Sequence, residues 1–581
     1  MKRFMKKTFL GAAFTATLCM AAMGSASEGE NGRWMSGDFH QHTLYTDGST
    51  TFDFAMEKNN AYGLDWWANS EHGGGRNRDG EGHLWTDSAY YPVNPILGDK
   101  SGTPQVMWRW QSLSDYVFPD ILDTRALYPK KRVFSGLEWN VPGHEHCSTA
   151  IVADDASAIS AFEYQFDKSD TDKSRTGEVT SYGTLAKQNG RDALTQATKP
   201  LGLDRHADAV AASQWMQDQY EAGKIDNGWI IFAHIERAGV FKTGSSDGGY
   251  NVEHFRDFNN AAPDVCFGFE GAPGHQVNDF RGLGNKVTCD VNGVCTSGDF
   301  GGTYGGAGYY TAKVGGLWDA LLGEGRHWFN FANSDYHARY DNGGDDFYPG
   351  EYQKTWVYVK GNEHDDNKDC SRLNDKEHDS SSSLNEIANA MRSGNVFFAH
   401  GDLINYLNFE AQSDSRKVSM GGELKNKGTI KNLKLKIKFK SPKSNNCMED
   451  GIDIKSCAAP KVDHIDLIGG DITGKIDPNS SDYTKATNES TRIIATFTSK
   501  NWEKDKDGYY VINYQIKNLK KNMYFRLRGT NLAPNTPDET DADGNPLPDA
   551  LVTINSPDIH PAQRAWTDLW FYGNPIFVYA N

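Results

Sequence analysis

Cysteine is scarce in this chain: eight residues in 581, one of them (Cys19) inside the N-terminal leader. No two cysteines stand two residues apart, which excludes a zinc-ribbon spacing. The seven beyond the leader are odd in number, so a disulfide framework leaves a thiol over. Cys289 with Cys295 and Cys447 with Cys457 are near enough in sequence to close small loops, and export permits such bonds. Positive charge is also short, 60 Lys and Arg against 77 Asp and Glu, for a formal net charge of −17. A surface of that sign argues against nucleic acid or an anionic membrane as a bulk partner. Downstream of the leader nothing approaches the ~18 apolar residues of a membrane span. No solenoid-type repeat is present.

The chain opens with "MKRFMKKTFLGAAFTATLCMAAMGSAS": a basic head of Lys2, Arg3, Lys6 and Lys7, an apolar run from about Phe9 to Ala22, and small residues near Ala26. That is the pattern of a secretory signal over residues 1–26, with a periplasmic or secreted location as the expectation. Its removal takes away four positive charges and no negative ones, leaving the mature chain more acidic still. Hydrophobic content of 38% with 12% aromatics is ample for a packed core, and the length suggests two or three domains.

From Arg33 to about His400, short apolar runs such as "LDWWANSEH", "RVFSGLEWN", "GWIIFAHI" and "HWFNFANSDYH" alternate with helical patterns such as "TFDFAMEKNNAYG" and "HADAVAASQWMQDQYEAG". Strand and helix repeated in this way imply an α/β domain over 33–405 with a mostly parallel sheet closed into a barrel. The stretches 73–128, 163–202 and 282–307 are too long for ordinary connections and read as insertions over the functional face. Beyond "NAMRSGNVFFAHGD" the period changes to two, as in "LKLKIKFK" and "YYVINYQI", which predicts an all-β sandwich over 406–581. The lysines of "LKLKIKFK" then form the solvent face of an amphipathic strand.

The segment "GDFHQHTLYTDG" sets the chemical question. His40 and His42 are two apart, so on a strand both point to one face. Nearly every later strand-like run also ends in a ligand type: His72, Glu138, His144 and His146, His234, Glu270, and Asp335 with His337. A barrel gathers these ends on one rim. Imidazoles and carboxylates crowded there need cations among them. Mixed nitrogen and oxygen donors without a thiolate pair suit zinc, manganese or iron, and the number of donors implies two or three divalent ions. Glu138 is the candidate bridging carboxylate, with a water between two metals serving as hydroxide near neutral pH.

These residues carry a family likeness. "DFHQHTLYTDG", "NSEHGG", "GLEW", "GHEHC", "FAHIERAG" and "NSDYH" resemble the ordered motifs of the PHP (polymerase and histidinol phosphatase) superfamily over about residues 34–405. "NAMRSGNVFFAHGD" and "AWTDLWFYGNPIFVY" are similar to its large secreted branch of uncharacterised metal-dependent phosphoesterase-like proteins. The resemblance implies a distorted seven-stranded (β/α) barrel with a trinuclear metal centre that hydrolyses phosphate esters. It implies that His40, His42, Glu138 and Asp335 hold one ion, and that Glu138 bridges to a second held by His234 and one histidine of "GHEHC", with His146 preferred over His144. Asp47, His72 and His337 are the implied ligands of the third. Where the family has "TDH" this chain has "SEH", so Glu71 replaces an aspartate expected to orient ligands.

Glu270 matches a pocket-facing position that is not always a ligand. His206, His254 and His275 lack strand-end placement and read as solvated or capping residues. Arg76, Arg78, Arg237 and Arg339 follow site motifs, and guanidinium forks suit phosphate oxygens; Arg237 and Arg339 are the candidates for substrate contact. "DNGGDDF" and "ETDADGNP" are explained as turns and lack the closing glutamate of a calcium loop. The aromatic runs "HLWTDSAYY" and "VMWRWQSLSDY" suit either substrate stacking or packing. The expectation is an exported metal-dependent hydrolase of small phosphate esters, with a metal-bridging hydroxide as nucleophile and Asp335 or His337 moving the proton. The rival readings are cleavage of sulfate or other anionic esters on the same centre, and a noncatalytic periplasmic binding module with structural metals.

Overall fold

The computed structural model describes residues 32–580 except 75, 171, 188–204, 238, 242–248, 279–280, 283–286, 290–294, 298–302, 361–379, 447–458 and 550–559. The leader and the Cys447–Cys457 pair lie outside the described residues, as do the side chains of Cys289 and Cys295, whose backbones are cross-strand partners in a short hairpin.

The strands of the first part are β1 (Gly32–Asp38), β2 (Trp66–Ala68), β3 (Arg132–Phe134), β4 (Gly136–Asn140), β5 (His146–Val152), β6 (Asn227–Phe232), β7 (Gly268–Ala272), β8 (Phe329–Ala332), β9 (Gln353–Lys360) and β10 (Val396–His400). They divide between two sheets. In one, β3, β2 and β1 run parallel and β1 continues antiparallel through β9 to β10. In the other the order is β8, β7, β6, β5, β4, with the first three parallel and the rest antiparallel.

The expected closed seven-stranded ring is therefore not what the backbone ladders draw. β3 and β4 are separated by Ser135 alone, yet they belong to different sheets. Isolated bonds join the two half-sheets: Glu138 N–H to Ser70 C=O (3.0 Å) at one edge, and Thr355 Oγ1 with the N–H and C=O of Ala332 (2.9 and 2.8 Å) at the other. The ends of β1, β2, β6 and β8 still converge, because those four leave the two half-sheets toward a common region.

Three helices matter for the site: α1 (Phe52–Ala61) and α2 (His206–Glu221), each where the helical spacing predicts one, and α3 (Val252–Ala261). Thr51 caps α1 by accepting the Phe54 N–H. In the insertion that follows β2, Trp85, Ile96, Met107 and Ile121 pack with Tyr45 and Phe52 in a core of their own. Trp85 is thus a packing residue.

The sheet that contains β1 does not stop at residue 405: β10 pairs with Trp570–Tyr579, which pairs with Met523–Thr530, and the ladder continues through His464–Asp471 to Arg492–Thr498. A further sheet of Tyr406–Ser413, Arg416–Ser419, Ile430–Lys440, Glu503–Lys504 and Tyr510–Leu519 covers this half. Leu433, Leu435, Ile437 and Phe439 are buried against Leu467, Leu527 and Phe571. The intervening lysines Lys434, Lys436, Lys438 and Lys440 face away from that core, partly or fully exposed, as the period-two pattern requires.

Candidate metal centre

The turn after β1 is knitted to the turn after β8. Buried Asp38 accepts the N–H of His40 (3.0 Å) and of Ser334 (2.8 Å), while Asn333 accepts the N–H of Phe39 (2.9 Å). Burial pushes the Asp38 carboxyl up to about 7 against these hydrogen bonds. Asp38 precedes the first histidine by two residues and has no ligand role in the sequence reading; its position at the strand end is the signal that points to it. Glu71 does similar work beneath the next loop, accepting the hydroxyls of Thr43 and Thr46, and Arg78 donates to the carbonyls of Leu44, Thr46 and Gly48 around Asp47.

Glu138 stands at the centre. Its Oε1 lies 2.8 Å from His146 Nδ1, 2.8 Å from His234 Nε2 and 3.2 Å from His40 Nε2. Its Oε2 lies 3.1 Å from His42 Nε2 and 3.0 Å from His72 Nε2. Asp335 Oδ1 is 3.0 Å from His40 Nε2, 3.5 Å from His42 Nε2 and 3.6 Å from His337 Nδ1. Asp47 Oδ1 is 3.5 Å from both His42 Nδ1 and His337 Nε2, and its Oδ2 is 3.9 Å from His72 Nε2.

All nine residues implied as ligands are therefore brought together. Their donor atoms fall into overlapping groups in which all lie within 4.8 Å of one another: His40, His42, Glu138 and Asp335; His42, Asp47 and His337; His72, Glu138 and His146; and Glu145, His146 and His234. The grouping differs in detail from the family pattern, because His72 sits with Glu138 and His146. Glu145, between the two histidines of "GHEHC", is an addition. His144 points elsewhere, 2.8 Å from His206.

The donor set fits cations. His40 Nε2, both ring nitrogens of His42, His234 Nδ1, Asp47 Oδ1 and Asp335 Oδ1 are buried and have no hydrogen-bond partner. Burying one such atom costs free energy, and here several meet around one carboxylate. Their second atoms are engaged in ways that fix the rings: His40 Nδ1 is 3.0 Å from Glu270, itself held by Ser148 Oγ at 2.7 Å, and His72 Nδ1 and His337 Nδ1 sit 3.0 and 2.9 Å from the carbonyls of Glu138 and Asp335. This is the outer support that presents Nε2 to a metal. Glu270 is thus an orienting group for His40. Such buried clusters are competent to bind several ions.

His275 corrects the sequence expectation. It follows β7 by three residues, adopts a positive φ of 57°, and places Nε2 3.1 Å from Asp335 Oδ2. The same rule of strand-end placement that finds the other histidines finds this one if "GFEGAPGHQ" is extended past the proline. His254 does cap, accepting the Asn251 N–H at the start of α3.

Charge follows the crowding. Burial opposes protonation of His40, but Asp335, Glu270 and Glu138 overcome it and hold its imidazolium well above the usual range; His42 rises to about 10 in the same way, chiefly through Asp47. Burial favours neutral carboxyls, yet the surrounding imidazoles keep Glu138 and Asp335 well below the usual range. His234, buried and near Arg237, is pushed down to about 3.

His40, His42, Glu138, His234 and Asp335 are buried, while His72, His146, His337 and Asp47 are partly exposed, so the cluster opens on one side. Arg237 stands near that opening, its side chain 34% exposed and donating to Glu145 Oε2 at 2.8 Å. Arg339 does not join it: it is buried, paired with Glu351 (2.7 Å) and Asp341 (2.6 Å), and so is held away from the role of a substrate contact.

No family model matches the sequence, and no curated protein matches it. A solved structure that is similar, a two-domain protein from Bacteroides vulgatus containing a predicted PHP-like metal-dependent phosphoesterase, is 11% identical, with 85% of this chain and 90% of that one covered, at a TM-score of 0.24. A likeness of that size fixes neither fold nor activity.

Proposed function

We propose that the chain is an exported, multinuclear-metal hydrolase of small phosphate esters, organised as a metal-binding domain over 33–405 and a β-sandwich-like domain over 406–581, and that it belongs to the PHP superfamily. The observation that carries the reading is the Glu138 carboxylate set among five imidazoles, with unpartnered donor atoms of His40, His42, Asp47 and Asp335 around it. The leader sequence supports export.

His40, His42, Glu138 and Asp335 would hold one ion, Glu138, His146 and His234 a second, and Asp47 and His337 a third, with His72 set beside Glu138 and His146 and 3.9 Å from Asp47. Zinc, manganese or iron(II) bound there supplies Lewis acidity toward an ester oxygen and lowers the pKa of water. The chain's own part is positional. Glu270 and Glu138 C=O fix the rings of His40 and His72. Asp38 ties the two turns that carry His40 and Asp335. The Asp335 carbonyl holds His337 Nδ1 at 2.9 Å, which leaves Nε2, 3.5 Å from Asp47 Oδ1, as the ligating atom at the partly exposed rim. Arg237 offers a guanidinium to the anion, whose developing charge it would offset.

The test is metal analysis of the purified chain together with rates on matched aryl phosphate, bis-aryl phosphate and aryl sulfate esters with added manganese or zinc. Turnover of a phosphate ester that disappears in His40→Ala and Asp335→Ala supports the reading. Faster sulfate cleavage would move the substrate class, and the absence of turnover on all three, with metal bound, would make the centre noncatalytic.

A further inference from the structure

A second histidine cluster lies apart from the centre. His144, in the hairpin between β4 and β5, His206, the first residue of α2, and His254, in the first turn of α3, each offer a ring nitrogen within 4.8 Å of the others. Their ring centroids are 5.0, 4.5 and 4.7 Å apart, and His144 Nε2 is 2.8 Å from His206 Nδ1. We propose that these three imidazoles form a separate structural site for one zinc ion.

The hydrogen bonding leads to that assignment. The other nitrogen of each ring in the close pair faces an acceptor: His144 Nδ1 is 3.3 Å from the Gly249 carbonyl, and His206 Nε2 is 3.2 Å from Asp257 Oδ2. Asp257 is in turn fixed by the Tyr483 hydroxyl, which donates to Oδ1 at 2.6 Å. With N–H on both outer nitrogens, the two inner nitrogens meet as lone pairs. Two lone pairs at that separation repel unless a proton or a metal ion sits between them. A shared proton satisfies that pair alone and leaves His254, whose ring lies as close to both of them, with no part beyond its cap. An ion takes the same position, keeps both outer hydrogen bonds and uses the third ring. A carbonyl on one ligand histidine and a carboxylate on another are the outer partners that metal-bound imidazoles ordinarily have.

His254 supplies the third bond at the cost of a helix cap. Its Nδ1 accepts the Asn251 N–H at 3.0 Å, so in the neutral ring Nε2 carries the proton, and ligation must release that proton or the cap. Burial and neighbouring His206 push this imidazole down to about 3, so ligation has no second proton to displace. A capping hydrogen bond is much weaker than a zinc–imidazole bond, and the Asn251 carbonyl still accepts the His254 N–H at 3.1 Å. An all-imidazole donor set favours zinc over magnesium or calcium. The ion would pin the hairpin that carries His146 to α2 and α3, at the end of the stretch 163–202.

The experiment counts metal in full-length protein. His206→Gln combined with His254→Gln should lower bound zinc by one equivalent per chain, both in the otherwise native protein and in the His40→Ala background, where the main centre is impaired. An unchanged count in either background, or a loss larger than one, overturns the proposal. Should the double variant not fold, crystals of the native chain grown with zinc decide it: an anomalous peak at the zinc edge among the three rings supports the site, and no peak there overturns it.

Discussion

His275 and Asp346 are locked together by a 2.6 Å contact between Nδ1 and Oδ1, and the opposite nitrogen of the same ring stands 3.1 Å from Asp335 Oδ2. Asp346 is fully buried, and its other oxygen accepts the N–H groups of His337 (2.7 Å) and Ala338 (3.0 Å). One carboxylate therefore sets the direction of two metal-facing side chains, Asp335 through His275 and His337 through its backbone. Loss of an outer partner of this kind costs roughly 10–100-fold in metal affinity or rate. His275→Ala and Asp346→Asn should each show a loss of that order in a competitive metal titration and in kcat; affinity equal to that of the native chain would show the contact to be incidental.

The charges of the centre predict how metal and pH act together. In the metal-free chain His42 is raised from 6.5 to about 10. A group raised on folding stabilises fully below its unfolded pKa, and that contribution fades as pH climbs toward 10. Glu138 and Asp335 are lowered, so their contribution is present above the ordinary carboxylate range, near pH ~4, and fades as pH falls. His234 stays neutral in the fold down to about 3 and so costs stability below pH ~6.5; chelator-treated protein should therefore be most stable near pH ~6.5 and weaken on both sides of it. Ligation needs unprotonated imidazole, so the rise in Tm on adding zinc or manganese should grow from about pH 6 to about pH 9. Thermal melts with metal and with chelator across that range check this, and a metal increment that shrinks with pH would contradict it.

How much of this was legible beforehand depends on range along the chain. His40 with His42, and Asp335 with His337, are local i, i+2 pairs, and the ends of β2, β4 and β6 are marked by the switch from apolar run to polar residue. Strand period and motif order thus located the residues the fold gathers. Which strands pair was not legible, because hydrogen bonding between distant segments leaves no local mark. β3 and β4 look like successive strands of one barrel and lie in different sheets. His275 was missed for a similar reason, since the turn "APG" separates it from β7 and only the positive φ brings its ring back to Asp335. Arg339 stands close to Asp335 in sequence, and that nearness carries no mark of Glu351, the carboxylate that claims it.

Buried ion pairs join the first part to the last strands, and Arg281 is the most heavily engaged. Its guanidinium donates to Asp568 Oδ2 and to the Tyr352 hydroxyl, both at 2.5 Å, and to the Asp568 carbonyl at 3.0 Å, with Asp549 at 3.5 Å. Removing one partner of a buried pair leaves the other charge uncompensated, at about 3–5 kcal/mol. Arg281→Met should lower unfolding free energy by that amount in denaturant titration. Replacing Asp568 by Asn in the same chain should recover part of the loss, since the stranded carboxylate is then gone; two additive losses would count against the pairing.

Arg237 separates binding of the anion from assembly of the centre. It is one of the candidate substrate contacts, it is a third exposed, and its charge acts on Glu138 and Asp335 as well as on its partner Glu145. A hydrogen bond to a charged group is worth about 1.5–3 kcal/mol, and every 1.4 kcal/mol is about tenfold. Arg237→Ala should therefore lower kcat/KM for a phosphate monoester by roughly ten- to a hundredfold, with bound metal per chain unchanged. If the guanidinium meets the anion only before reaction, KM rises and kcat holds; if it meets charge that grows along the reaction, kcat falls. Arg237→Lys keeps the charge but not the fork, so it should recover less than half of the lost free energy if two oxygens are gripped at once. An Ala variant with native kcat/KM would remove Arg237 from substrate recognition and leave its pairing with Glu145 as a structural contact.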